Sequence, residues 1–272
     1  MDLDVVIATS GNLNKNYSLY YVVRSILSQT IRPNKVYIVF NDDSISIKGQ
    51  LKKDFGDLIE ILDGSKKKSN ISFARNLGAD ISEADLVLFM DDDMVVGDTD
   101  VFERIIQRME YLDFYCGASR FWSKLEWFDQ LQKNYSINHI LNILRATSLL
   151  PKSIDRLSGK LTYHHRSFIG NFGCVKKDVF TNVGGFDEKY YGWSYQDTDL
   201  MMKFVVNNMN YQIMADNLIK VYHLSHGVKK GASKDRNKIL FEENQRKLRV
   251  KFHLNNFFGD FDDNYYSIIT PL

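Results

Sequence analysis

Short apolar runs alternate with helix-like segments from Leu3 to Met109, and this alternation restricts the fold of the chain more than any other feature. Between the runs, apolar residues recur every three or four positions, as Leu19, Val22 and Ile26 do, which is typical of an amphipathic helix. Alternating strands and helices predict a mostly parallel sheet with helices on its faces. The predicted strands are Leu3–Ala8, Lys35–Phe40, Leu58–Leu62 and Leu86–Met90.

Three consecutive carboxylates, Asp91, Asp92 and Asp93, follow the last of these strands. They therefore lie at the carboxyl end of a buried strand, which is where open α/β sheets bind their ligands. Clustered carboxylates repel one another unless a cation lies among them, and hard oxygen ligands suit Mg²⁺ or Mn²⁺. The pattern favours a metal site, and the alternative is a solvated acidic loop.

The composition limits the classes of protein to which the chain can belong. The 272 residues are 44% hydrophobic and 25% charged, as expected for one globular α/β domain. A net charge of +1 provides no general attraction for nucleic acid. Two cysteines, Cys116 and Cys174, are too few for a disulfide framework and predict reduced thiols. The sequence shows neither a signal peptide nor a membrane span, so we expect a cytoplasmic protein, with peripheral membrane association left open.

The regular alternation stops between Arg120 and Arg166 and resumes afterwards. We interpret this stretch as an insertion within a single domain, because no linker or repeat marks a second domain. The expected layout is a first half (1–119), an inserted lobe (120–166) and a second half (167–272). Late strands are predicted at Tyr211–Met214 and Ile219–Tyr222, followed by a charged helix from Ser233 to His253.

Four motifs in a fixed order carry a resemblance to a known family. They are the turn at Thr9, the triplet Ala74-Arg75-Asn76, the DxD-like Asp91-Asp92-Asp93, and Gly184-Gly185-Phe186-Asp187-Glu188 followed by Gly192-Trp193 and Asp197. The set resembles the GT-A glycosyltransferases, in particular family 2 with a galactosyltransferase-type C-terminal region. The resemblance implies a single GT-A domain, that is, a Rossmann-like nucleotide-diphospho-sugar transferase fold with a mostly parallel central sheet and an inserted acceptor-side lobe.

The resemblance also implies an activity. Such a chain is expected to be a metal-dependent, inverting hexosyltransferase that uses a UDP-sugar donor and Mn²⁺ or Mg²⁺. The acceptor is a hydroxyl of a glycan, a lipid-linked sugar or a peptide, as in polysaccharide biosynthesis. A divalent metal stabilises the charge of the departing diphosphate as a Lewis acid. The metal ligands implied are Asp91, Asp93, His223 and His226, and His223 is preferred to His226 because it directly ends the apolar run Val221-Tyr222.

The donor half of the site is expected at the strand ends. By resemblance, Thr9, Asn41 and Asp42 hold the uracil and ribose, although Asp43 competes for the base contact. Arg75 is expected to neutralise a phosphate, and the alternative is a surface salt bridge. Asp91 is assigned to the ribose or the metal, whereas a structural and a functional role for Asp92 remain equally open.

The acceptor half is expected around Asp197, which the resemblance identifies as the general base that takes the proton of the attacking hydroxyl. The family's preceding Glu is Gln196 here, and the alternative for Asp197 is a carboxylate that stabilises a helix N-terminus. Gly185 is expected to form a tight turn near the sugar. Trp193 offers a flat face for a sugar ring or else packs in the core.

Two further groups of residues have open roles. Phe121, Trp122, Trp127 and Phe128 are expected to pack in the core or, alternatively, to form an acceptor platform. The basic residues Lys229, Lys230, Lys234 and Arg236 are expected to belong to a loop that closes over the diphosphate.

Three other functions compete with this interpretation. A GT-A protein that binds nucleotide sugars or glycans without turnover is suggested by Gln196. A haloacid-dehalogenase-like phosphatase also has a DxD motif, but that family places it after an early strand, whereas two or three strand–helix units precede it here. A dinucleotide-binding Rossmann domain is disfavoured, because Thr9-Ser10-Gly11-Asn12 lacks the required glycine spacing.

Overall fold

The computed structural model describes residues 1–9, 16–41, 45–67, 70–123, 136–148, 152–154, 161–163, 169–191, 195–212, 216–224 and 234–252. The first part of the chain alternates strands with helices. Its elements are β1 (Leu3–Thr9), α1 (Asn16–Leu27), β2 (Val36–Phe40), α2 (Ile45–Phe55), β3 (Ile59–Asp63), α3 (Ile71–Ile81) and β4 (Leu86–Asp91).

The second part of the chain has shorter and more varied elements. They are β5 (Met94–Val96), α4 (Val101–Met109), β6 (Phe114–Tyr115), β7 (Ala118–Trp122), α5 (Ile137–Thr147), β8 (Lys152–Ile154), β9 (Leu161–Tyr163), α6 (Ile169–Phe172), β10 (Gly173–Lys176), α7 (Lys177–Asn182), α8 (Gln196–Val206), β11 (Tyr211–Gln212), β12 (Asp216–His223) and α9 (Lys234–Lys251).

A seven-stranded sheet organises the described chain, with strand order β11-β6-β10-β4-β1-β2-β3. Neighbouring strands run parallel except that β10 is antiparallel to both β4 and β6. A smaller sheet, β5-β12-β7, continues from the carboxyl end of β4, and β8 pairs with β9. The predicted α/β fold with a mostly parallel central sheet is therefore confirmed.

The central strands are buried on both faces, which explains their continuous apolar sequences. In β1, Val5 and Ile7 pack into one apolar cluster with α1 and α4, whereas Val6 and Ala8 pack into a second cluster with α3 and α8. Side chains on a strand alternate between its faces, so a single run of apolar residues supplies both clusters. Because β1, β2 and β4 are parallel, their polar carboxyl ends lie together at one edge of the sheet.

Some local expectations are met and others are not. Both cysteines are buried free thiols, as predicted. Asp100 and Glu103 have the spacing of a capping box at the start of α4. The Asp100 side chain nevertheless makes no capping hydrogen bond, and its carboxylate pairs instead with Arg104. Residue 120, where the lobe was expected to begin, lies inside β7. Among the described residues, no helix is long and apolar enough to cross a membrane.

Candidate active site

The carboxyl ends of β1 and β4 are adjacent, since Ala8 is the register partner of Asp91. Thr9, the last residue of β1, donates a hydrogen bond of 2.6 Å from Oγ1 to Oδ2 of Asp92. Both side chains are buried. Asn41 follows β2 at the same edge, where its backbone N–H donates to the Thr9 carbonyl at 2.8 Å. The Asp92 carboxylate thus ties the acidic turn to β1, which supports the structural role for this residue.

Asp93 lies beside His223 because β5 and β12 are antiparallel neighbours. Met94 pairs with His223, and the Leu224 N–H donates to the Asp93 carbonyl at 2.8 Å. This pairing brings Nε2 of His223 to 3.6 Å from Oδ1 of Asp93, with exposed side-chain fractions of 13% and 4%. A carboxylate and an imidazole that are distant in sequence are therefore held together by the small sheet.

The Asp93–His223 pair suits a divalent cation. Two ligand atoms that each lie about 2.1 Å from one cation are separated by at most about 4.2 Å, and the observed 3.6 Å satisfies this limit. Carboxylate oxygens suit Mn²⁺ and Mg²⁺, whereas imidazole is a typical ligand of transition metals. Over the described ranges, no cluster of three or more His, Cys, Asp or Glu side chains forms a complete protein cage. Mg²⁺ sites commonly combine one or two carboxylates with water and substrate phosphates, so a small protein donor set is sufficient.

Arg75 occupies the centre of the site. It projects from α3, whose first turn is capped by Asn70. Its Nη2 donates to Oδ1 of Asp91 at 3.0 Å, and its Nη1 donates to Oδ1 of Asp197 at 3.2 Å. The side chain is only 3% exposed, so the alternative of a surface salt bridge is wrong. Arg75 instead joins the acidic strand end to the helix that carries the proposed base.

Asp91 has a strongly perturbed acidity. Burial raises the pKa of its carboxyl group to about 7, Arg75 opposes this rise, and the nearby carboxylates of Asp93, Asp197 and Asp92 reinforce it. In the ligand-free protein, this carboxyl group therefore exchanges its proton near neutral pH. A bound cation favours the ionised form, so metal binding and proton release are linked at this residue.

Asp197 lies in the first turn of α8 and is fixed through one of its two oxygens. Oδ1 accepts hydrogen bonds from Arg75 and from the Gly170 N–H, the latter at 3.0 Å. Neither of these bonds uses Oδ2, so among the described residues this oxygen can still face a substrate hydroxyl. Tyr195, just before the helix, has φ 65°, a left-handed conformation that is uncommon for a residue other than glycine. Such strain often accompanies functional sites.

Gly170, in α6, was not identified from the sequence as a site residue. A Cβ atom at this position would lie 2.1 Å from Nη1 of Arg75 and 2.2 Å from Oδ1 of Asp197. Any larger residue would therefore displace both charged groups. A single glycine between two late segments gives no recognisable sequence signal, because its importance depends on which side chains surround it.

Gly185 contributes a tight turn that packs against α3. It has φ 57°, and an added Cβ atom would lie 2.8 Å from Oδ1 of Asn76. Asn76 in turn binds both the N–H and the carbonyl of Phe186, each at 2.9 Å, and also a carboxylate oxygen of Glu188 at 3.0 Å. The Gly184–Glu188 segment is thus held next to Arg75, whose guanidinium lies 5.2 Å from the centre of the Phe186 ring.

Two further side chains at the site, Arg120 and Trp122, come from β7. The Arg120 guanidinium lies over the Trp122 ring at 4.7 Å, and the Trp122 and His223 ring centres are 4.2 Å apart. The Trp122 residue is 36% exposed to solvent, so the expectation that it packs in the core is wrong. The role of Arg120 was missed because it depends on the parallel pairing of β7 with β12, in which Trp122 faces His223.

The remaining predicted site residues, Asp42, Trp193 and His226, lie outside the described residues. The competing Asp43, the aromatic residues Trp127 and Phe128, and the basic residues Lys229 and Lys230 also lie outside them. The described residues thus bring together Thr9, Asn41, Arg75, Asp91, Asp92, Asp93, Asp197 and His223, with Gly185 in the adjoining loop.

Two family models match the chain. The model described as "Glycosyl transferase family 2" matches residues 5–172, which is more than half of the chain. The model described as "N-terminal domain of galactosyltransferase" matches residues 154–227. A search of curated proteins found no significant match. The two matches overlap and together extend from β1 to the segment after His223.

Solved structures resemble the chain in fold. A crystal structure of GalNAc-T7 with UDP, GalNAc and Mn²⁺ has a TM-score of 0.62 at 10% identity, covering 92% of this chain and 48% of that chain. A crystal structure of S. aureus TarS 1-349 has a TM-score of 0.61 at 14% identity, covering 98% of this chain and 70% of that chain. The chain thus spans about half the length of the GalNAc-T7 chain. At these identities the likeness shows the fold.

Proposed function

Because the chain belongs to glycosyl transferase family 2, we propose that it is a metal-dependent, inverting glycosyltransferase that moves a hexose from a UDP-sugar to an acceptor hydroxyl. The acceptor is a glycan, a lipid-linked sugar or a peptide. The similarly folded GalNAc-T7, crystallised with UDP, GalNAc and Mn²⁺, supports the choice of a UDP-sugar and a divalent metal.

The bridge formed by Arg75 is the observation that carries the proposal. Its guanidinium joins Asp91, at the acidic strand end, to Asp197, in the first turn of α8. A transfer reaction needs the donor and the base near one another, and a single buried side chain contacts both of these carboxylates. An acidic loop without a ligand does not require this arrangement.

In the proposed mechanism, Asp197 accepts the proton of the acceptor hydroxyl as that oxygen attacks the anomeric carbon. Oδ1 is held by Arg75 and Gly170, which leaves Oδ2 to face the acceptor. The diphosphate leaves from the opposite side of the sugar, so the configuration at the anomeric carbon is inverted. In this proposal the acceptor lies on the α8 side of the site and the nucleotide lies at the β1–β4 edge.

Asp93 and His223 are the described residues that would hold the metal, and Asp91 borders them. When bound, the metal supplies Lewis-acid stabilisation of the negative charge on the leaving diphosphate. Oδ1 of Asp93 and Nε2 of His223 already lie 3.6 Å apart, so metal binding would not require a rearrangement of the small sheet. The Thr9–Asp92 bond holds the preceding turn in place.

A screen of UDP- and GDP-sugars tests the proposal. Each sugar nucleotide is incubated with the protein and Mn²⁺, with Mg²⁺ or with a chelator, and release of the nucleoside diphosphate is measured with and without candidate acceptors. We expect the protein to consume a UDP-sugar when the metal is present and not when the chelator is present. Tight UDP binding without consumption of any donor would favour the protein that binds nucleotide sugars without turnover, an alternative that Gln196 suggests.

A further inference from the structure

The Arg120 guanidinium lies close to the acidic edge of the site, and no described residue accepts a hydrogen bond from its N–H groups. Across the described ranges, it contacts the Trp122 ring and forms neither a hydrogen bond nor an ion pair with a side chain. Arg120 is partly buried, and Asp91 and Asp93 are the acidic groups whose charges act on it. A partly buried cation with unused donors is suited to bind an anion from solution.

The position of Arg120 is fixed by neighbours on two strands. Arg120 and Trp122 are two positions apart on β7, so their side chains project from the same face of the strand. Trp122 is the register partner of His223 on β12, and the His223 imidazole in turn lies 3.6 Å from Asp93. Arg120, Trp122, His223 and Asp93 therefore form a continuous row that ends at the proposed metal ligands.

Stacking on an indole ring orients a guanidinium without using its hydrogen-bond donors. When a guanidinium stacks in this way, its face lies against the ring and its N–H bonds point outwards in its own plane. This planar set of donors matches two oxygens of one phosphate. A lysine at the same position would retain the charge but would lose both the stacking and the paired donors.

We propose that Arg120 binds phosphoryl oxygens of the donor's diphosphate and, together with the metal, stabilises the charge that develops on the leaving group. This inference rests on the proposed function. Burial lowers the pKa of the Arg120 side chain, whereas Asp91 and Asp93 raise it. Both terminal nitrogens of Arg75 are engaged by Asp91 and Asp197, whereas no described side chain uses the guanidinium donors of Arg120, which can therefore reach the nucleotide.

The test compares UDP and uridine binding in the presence of Mn²⁺ for the full chain and for Arg120→Met and Arg120→Lys. Loss of a charge-assisted hydrogen bond predicts that Arg120→Met binds UDP about tenfold more weakly or worse, while its affinity for uridine stays within about twofold. The UDP affinity of Arg120→Lys is expected to lie between those of the unmodified protein and Arg120→Met. Arg104→Met is the matched control, because it removes an arginine on α4 that pairs with Asp100.

Unchanged UDP affinity in Arg120→Met would overturn the inference while the proposed function remains standing. Equal loss of UDP and uridine affinity would also overturn it, since that result indicates a damaged fold rather than a lost phosphate contact. Failure of the unmodified protein to bind UDP would overturn the proposed function and the inference together. A loss that is specific to UDP in Arg120→Met and absent from Arg104→Met supports the assignment.

Discussion

A hydrogen bond of 3.2 Å joins Nη1 of Arg75 to Oδ1 of Asp197, two residues that are 122 positions apart in the chain. The same guanidinium also pairs with Asp91. The cation thus compensates two carboxylates that would otherwise repel each other in a partly buried site. Its removal has consequences for both stability and activity.

The first prediction concerns Arg75→Met. Breaking a buried ion pair typically costs several kcal/mol, but the two carboxylates keep some solvent contact, so we expect a loss of about 2–3 kcal/mol in unfolding free energy. Transfer activity should fall by at least about a hundredfold, because misplacing catalytic groups is costly. Chemical denaturation and donor turnover measure these two effects. Lys52→Met, which breaks an exposed pair, is the control and should leave both unchanged.

The second prediction concerns Gly170→Ala. The added methyl group would overlap Arg75 and Asp197, so we expect about 1–3 kcal/mol of destabilisation and a marked loss of turnover. Gly49→Ala is the matched control, because Gly49 lies in α2 and its added Cβ atom meets nothing within 4 Å. That substitution should stabilise the protein by up to about 1 kcal/mol, since alanine favours a helix. Similar behaviour of the two variants would contradict the packing described for Gly170.

The third prediction concerns pH. The pKa of Asp91 is about 7 in the folded protein and close to the ordinary aspartate value of 3.8 in the unfolded chain. Between these values the unfolded state has released this proton and the folded state has kept it, so the contribution of Asp91 to stability falls as pH rises from about 4 to about 7. The unfolding free energy of the metal-free protein should therefore decline more steeply over this range than that of Asp91→Asn. Parallel profiles for the two proteins would show that Asp91 titrates normally.

The fourth prediction concerns the contacts that α9 makes with Asp187 and Tyr191, which precede α8, and with Asp199, which lies in α8. Lys251 Nζ lies 2.8 Å from Asp187 and 2.6 Å from the fully buried Asp199, while the Asn244 side chain donates to the Tyr191 carbonyl at 2.9 Å. Lys251→Met would weaken the support for Asp199, two residues after the proposed base. We expect about 1–3 kcal/mol of destabilisation and a lower kcat at a nearly unchanged donor KM.

Arg246 provides the control for this experiment, because it lies on the same helix and is exposed. Arg246→Met should retain both stability and kcat. Lys251→Arg should recover part of the activity, since it restores a cation next to Asp187 and Asp199. If Lys251→Met were as active and as stable as the unmodified protein, α9 would have no positioning role.

The sequence predicts the parts of the site that depend on local order. The apolar run that ends at Asp91 specifies a buried strand, and the polar residues after β1 and β4 meet because parallel strands end at the same edge. The spacing of Asp100 and Glu103 is that of a capping box and marks the start of α4, but the Asp100 side chain makes no capping hydrogen bond. Arg104, one helical turn later, competes for the carboxylate, and such competition cannot be read from spacing alone.

The remainder depends on contacts between distant segments. The bridge from Arg75 to Asp197 requires α3 and α8 to pack on the same face of the sheet. The stacking of Arg120 on Trp122 beside His223 requires one register between β7 and β12, and that register shifts between Asp216 and Lys220. Periodicity predicts that such strands exist but does not specify their register, so the functional placement of Arg120 was not accessible from the sequence.

The fifth prediction tests the central claim, that Asp197 is the base of a metal-dependent transfer whose donor is bound elsewhere in the site. UDP binding in the presence of Mn²⁺ and transfer from the UDP-sugar are measured for the unmodified protein and for Asp197→Asn. We expect Asp197→Asn to bind UDP within about threefold of the unmodified protein and to lose at least about a hundredfold in transfer rate, as expected for removal of a general base. A fully active Asp197→Asn would contradict the account.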